Sequence, residues 1–126
     1  MSIAITATIK TYPPQPYADI ADKILGKRYA LSLVFIGKER AATLNKTYRK
    51  KTYAPNVLSF PLDEHTGEIL ICPQIATAEA AKYDLSPDNY VAFLFIHGCL
   101  HLKGYEHSDT MEALEQKYLK YFKLKQ

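Results

Sequence analysis

Apolar residues recur along this chain in two rhythms, period two and period 3.6. Ile3 to Ile9 alternates apolar residues with Thr, which predicts a strand. Pro13, Pro14 and Pro16 enforce an extended connection. From Tyr17 to Gly26, residues Ile20, Ala21, Ile24 and Leu25 keep helical spacing, with Gly26 at the stop. Ala30 to Ile36 is almost continuously apolar before Gly37 and predicts a buried strand. Lys38 to Tyr48 carries Ala41, Leu44 and Tyr48 at helical intervals.

After a basic, turn-like stretch from Arg49 to Asn56, Val57–Pro61 and Glu68–Cys72 read as strands. Asp63 to Gly67 has the composition of the loop joining them. Three helices should follow. Pro73 suits a first turn, and Ala76–Lys82 is rich in helix formers. Ser86-Pro87-Asp88 supplies an N-cap, a first-position proline and a first-turn acid; its helix runs to Lys103, where Gly104 ends it. The last helix starts near Ser108 or Asp109. It sets Met111, Leu114, Tyr118, Tyr121 and Phe122 opposite Lys117, Lys120 and Lys123, a basic side that reads as a solvated face. This order implies an α+β fold, a small mixed sheet of about four strands covered by about five helices. Without repeats or a long linker, residues 1–126 read as one domain.

Composition narrows the class. With 126 residues, 48% hydrophobic and 23% charged, the chain is neither disordered, collagen-like nor a coiled coil. A net charge of +3 is compatible with a polyanionic partner, but on charge alone an ordinary solvated surface is the favoured reading. Cys72 and Cys99 form no CxxC motif and read as reduced core thiols. The opening MSIAITATIK lacks the basic start of a signal peptide. The longest stretch without Asp, Glu, Lys or Arg, Asn89–Leu102, is too short to span a bilayer. A soluble cytoplasmic protein is the expectation.

Three of the four histidines, His97, His101 and His107, fall within eleven residues. The first two, four apart on a helix, project from one face. Gly104 can turn the chain so that His107 returns toward them. Three imidazoles suit one tetrahedral Zn²⁺ with a fourth position left for water. The helix is apolar nearly all round, and imidazoles on such a helix are costly without partners. Core histidines bonded to backbone are the plainer alternative. HExxH peptidases carry Glu directly after the first His; here that residue is Gly98, which counts against peptide hydrolysis. Cys99 points away from the imidazole face, and His65 reads as a turn residue.

His97-Gly98-Cys99-Leu100-His101-Leu102-Lys103-Gly104-Tyr105-Glu106-His107 resembles the H-G-x-L-H-L-x-G-Y-D-H signature of the bacterial YbeY proteins, zinc-dependent endoribonucleases of ribosomal RNA maturation. Leu44-Asn45, Tyr48-Arg49, Lys51 and Asn56–Pro61 form a second similar block, and Gly67–Cys72 a third, like the family's G-D-I-x-I-C strand. Glu106 stands where the family has Asp, and Thr52 and Pro55 replace its Asp and Thr.

The resemblance implies a single metal-dependent hydrolase domain, zincin-like, with the His-bearing helix central and a cleft between metal and edge strand. It implies action on single-stranded RNA, namely the 3′ end of 16S small-subunit ribosomal RNA, and in ribosome quality control. Small-subunit ribosomal proteins and an assembly GTPase are the implied protein partners. One Zn²⁺ would be held by His97, His101 and His107, with Glu106 beside the third ligand as its orienter. The family's Arg falls on Arg49; a guanidinium can bind two phosphate oxygens at once, where Lys is only a point charge. Lys46, Lys50 and Lys51 would guide the strand. Tyr48 and Tyr53 could stack on bases or simply pack. Two other readings stay open: a ribosome-assembly RNA-binding factor with structural zinc, and a metallohydrolase of another substrate class.

Overall fold

The structure is a computed structural model that describes residues 2–49 and 56–124. Its strands are β1 (Ser2–Ala7), β2 (Ala30–Phe35), β3 (Val57–Asp63) and β4 (Thr66–Ile71). Its helices are α1 (Tyr17–Leu25), α2 (Lys38–Arg49), α3 (Pro73–Glu79), α4 (Pro87–Lys103) and α5 (Asp109–Tyr121). The α+β expectation of four strands and five helices holds.

The strands form one mixed sheet in the order β1-β2-β4-β3. β1, β2 and β4 run parallel, and β3 returns antiparallel to β4 as an edge strand. Alternation along each strand sends side chains to two faces. Leu31, Leu33, Phe35, Ile69 and Ile71 enter the main core with α1, α3, α4 and α5. Val34, Leu58, Phe60 and Leu70 meet Ala41 and Leu44 of α2 in a smaller cluster opposite.

α4 runs through the main core, with Tyr90, Val91, Ala92, Leu94, Phe95, Ile96, Cys99 and Leu100 all buried. Ser86 Oγ caps it, accepting from the Asn89 N–H at 3.1 Å, and Gly104 ends it at φ 111°. Only glycine adopts that conformation cheaply. Gln15 Nε2 donates to the Asp88 carbonyl at 2.9 Å, tying the proline-rich connection to this helix. Among the described residues no helix is long and apolar enough to cross a membrane. Cys72 and Cys99 are free and buried.

Three expectations shift. β4 begins at Thr66, so Glu64 and His65 alone make the turn, with an irregularity between Pro61 and Asp63. α3 stops at Glu79 and gives way to a 3-10 turn, Ala80–Tyr83, which Asp84 closes in the left-handed region. On α5 the buried residues are Met111, Glu115 and Leu119, while Tyr121 is exposed. Glu115 lies four residues from both apolar neighbours, on the stripe that meets α4.

Candidate metal centre and its flanking clefts

α4 delivers His97 and His101 from its last two turns, and the chain after Gly104 brings back His107. One ring nitrogen from each lies within 4.8 Å of the others. His97 and His101 are half-buried, and His107 is exposed.

The two helical imidazoles are held by their far nitrogens. His101 Nδ1 donates to the Tyr105 carbonyl at 2.9 Å, a contact created by the turn at Gly104. His97 Nδ1 donates to Glu115 Oε2 at 2.5 Å. A carbonyl and a carboxylate only accept, so each Nδ1 carries a proton and, in the neutral ring, each Nε2 is left with its lone pair. Those Nε2 atoms are 3.0 Å apart. Two lone pairs at that distance require a cation or a proton between them. Burial, then the neighbouring His97, pushes the His101 pKa below its usual value, which favours the neutral imidazole a metal needs. A third imidazole completes a nitrogen donor set suited to zinc. The residues fit the ion.

Glu115 escaped the sequence reading. Its signal was a carboxylate at a core-facing position of an amphipathic helix, only 4% exposed. Such a charge must be partnered. A carboxylate on the distal nitrogen is a recurrent support for histidine ligands, because it fixes tautomer and ring angle.

Gly98 has its own reason. A Cβ there would lie 2.9 Å from Ser59 Oγ and 3.0 Å from Ile69 Cδ1. The helix is pressed against β3 and β4 at the position where an HExxH peptidase carries Glu. Bareness at residue 98 lets the imidazoles approach the edge strand.

A cleft flanks the cluster on either side. One of about 540 Å³ follows the edge strand, lined by Asn56 to Phe60 with His97 and His101. The other, of about 340 Å³, lies toward α5 and is lined by Tyr83, Phe93, His97, His107, Glu112 and Glu115 among others. They share Asn56, Val57 and His97. The edge-strand cleft is the one the resemblance implies; the second was not anticipated.

Lys46 is exposed on α2, and Arg49 is that helix's last residue. The Arg49 side chain, Lys50, Lys51 and Tyr53 lie outside the described residues. Tyr48 is 66% exposed and meets Phe60 edge-on at 5.6 Å. Glu106 is exposed, and its backbone carbonyl accepts from the Ser108 hydroxyl at 3.0 Å. Among the described residues, the carboxylate hydrogen-bonded to an imidazole is Glu115.

Residues 8–123 match the family model described as endoribonuclease YbeY. The chain belongs to the YbeY family. It is 41% identical over 98 residues to the endoribonuclease YbeY of Neisseria meningitidis serogroup B, covering 69% of this chain and 58% of that protein. To the endoribonuclease YbeY of Stutzerimonas stutzeri it is 40% identical over 102 residues, 71% of this chain and 64% of that protein. The chain thus spans less than two thirds of the length of these curated YbeY relatives. The solution structure of TM1509 from Thermotoga maritima matches it with a TM-score of 0.66 at 26% identity, over 94% of this chain and 87% of that one.

Proposed function

We propose that this chain is a zinc-dependent endoribonuclease that cleaves single-stranded RNA. Its proposed substrate is the 3′ end of small-subunit ribosomal RNA, in cytoplasmic ribosome maturation and quality control. The observation that carries the reading is the pair of imidazole Nε2 atoms 3.0 Å apart, with His97 lining two clefts, in a chain of the YbeY family.

His97, His101 and His107 hold the ion, with Glu115 and the Tyr105 carbonyl orienting the first two. Bound there, zinc supplies Lewis acidity toward a phosphoryl oxygen. Arg49 grips the scissile phosphate through two oxygens and balances the charge that builds there in the transition state. Lys46, Lys50 and Lys51 draw the strand toward the site. The basic stretch that contains the last two ends at Asn56, which lines both clefts beside His97. That is a reason to bring Arg49 and the imidazoles to one phosphate.

A purely structural zinc is less well supported, because closed zinc sites use four protein ligands and the group among the described residues numbers three. Peptide hydrolysis is opposed by the packing of Gly98 against Ser59.

The test is cleavage of single-stranded RNA by the zinc-loaded chain beside His101→Ala and Arg49→Ala. Both substitutions should abolish cleavage while leaving the fold intact. Cleavage that persists unchanged in both belongs to a contaminating nuclease and overturns the reading.

A further inference from the structure

Tyr83, Tyr90 and Phe93 form a compact ring cluster beside His97, with Tyr83 and Phe93 themselves 5.9 Å apart at 30°. Tyr83 stacks on Tyr90 with centroids 4.9 Å apart and planes 20° apart. Tyr90 stacks on Phe93 at 5.8 Å and 16°, and the Phe93 ring lies 6.4 Å from that of His97. Tyr90 is fully buried, whereas Tyr83 is 53% exposed. The cluster is tied to the residue just before β3, because Asn56 Nδ2 donates to Glu79 Oε1 at 2.9 Å and to the Tyr90 hydroxyl at 3.3 Å. Tyr83 therefore presents a flat, supported ring at the mouth of the cleft toward α5.

The charge of that cleft selects what can enter. Glu112 and Glu115 line it, and among the described residues no Lys or Arg does. A phosphate would meet carboxylates there. An unpaired base is uncharged and carries a π-face. The edge-strand cleft, by contrast, has no carboxylate in its lining among the described residues. Because Asn56, Val57 and His97 line both clefts, a strand with its phosphate at the imidazoles can run its backbone along β3 and turn one base to the other side of His97.

We propose that the cleft toward α5 is a nucleobase subsite, in which Tyr83 stacks on the base adjoining the scissile phosphate. The proposal rests on the RNA-cleaving reading above and adds where the base goes. Stacking on an aromatic ring tolerates any base and strengthens binding by about tenfold or more.

The experiment compares cleavage kinetics of the zinc-loaded full chain with its Tyr83 variants on short single-stranded RNAs, each carrying one abasic nucleotide at a scanned position. On intact RNA, Tyr83→Ala and Tyr83→Leu should raise KM about tenfold with kcat little changed, and Tyr83→Phe and Tyr83→Trp should restore it. Leu keeps Tyr90 covered without offering a flat face, so it separates stacking from folding. An abasic nucleotide beside the cleaved bond should raise the wild-type KM to the same extent and add nothing in Tyr83→Ala. A wild-type chain that cleaves, with KM unmoved by Tyr83→Ala and Tyr83→Leu or with additive losses at every abasic position, overturns the subsite alone. A wild-type chain that leaves every RNA intact overturns the nuclease reading and the subsite with it.

Discussion

His97 and His101 turn their Nε2 atoms toward each other across 3.0 Å, while each commits its Nδ1 proton to a fixed acceptor. The acceptors have separate origins. The Tyr105 carbonyl is supplied by the turn at Gly104, and the Glu115 carboxylate comes from α5, eighteen residues beyond His97. The site is thus assembled by two helices and the loop between them, although its proposed ligands sit close together in the chain.

Removing the carboxylate should weaken the metal before it weakens the fold. Glu115→Ala is expected to lower zinc affinity about 10- to 100-fold, the usual cost of losing a histidine's distal partner. Glu115→Gln keeps an acceptor for the Nδ1 proton and should lose less. Competition against a chromophoric chelator reads both values. Equal affinity in all three proteins would remove Glu115 from the site.

Gly98→Ala tests the press of α4 on the sheet. The added Cβ meets Ser59 Oγ at 2.9 Å and Ile69 Cδ1 at 3.0 Å. The expected loss is about 1–3 kcal/mol of stability, as for overpacking in a filled core. Adding Ser59→Ala removes the closer contact and should recover part of it. Urea unfolding of the single and double variants measures the coupling.

The cysteines should be chemically silent. Cys99 is completely buried, and desolvation pushes its thiol pKa far above the ordinary value, so the reactive thiolate is suppressed at neutral pH. Cys72 is 1% exposed. Neither thiol should react with Ellman's reagent in the folded protein, and both should react in denaturant. Rapid titration of either in the native state would contradict this packing.

Much of the fold was legible because local chemistry and tertiary context agree. Ser86 and Gly104 mark the ends of α4 in the sequence and act as its N-cap and left-handed terminator in the structure. The apolar run Ala30–Ile36 became the interior strand β2. The imidazole cluster was legible because two members are one helical turn apart and the third follows a helix-ending glycine.

What was not legible depends on contacts distant in sequence. Glu115 breaks the apolar stripe of α5, yet only the packing of α5 beside α4 reveals that His97 is its partner. The 3-10 break at Ala80–Tyr83 lies within a run of good helix formers. It turns Tyr83 onto Tyr90, a stack whose two halves belong to different elements. Strand order was hidden for a similar reason: β4 reaches the middle of the sheet by pairing with β2, far back along the chain.

The most direct test of the three-imidazole centre is X-ray absorption at the zinc edge of the zinc-loaded protein. The expected first shell contains three imidazole nitrogens at about 2.0–2.1 Å with no sulfur, reduced to two in His101→Ala. A sulfur shell near 2.3 Å, or a shell unchanged in His101→Ala, would contradict it.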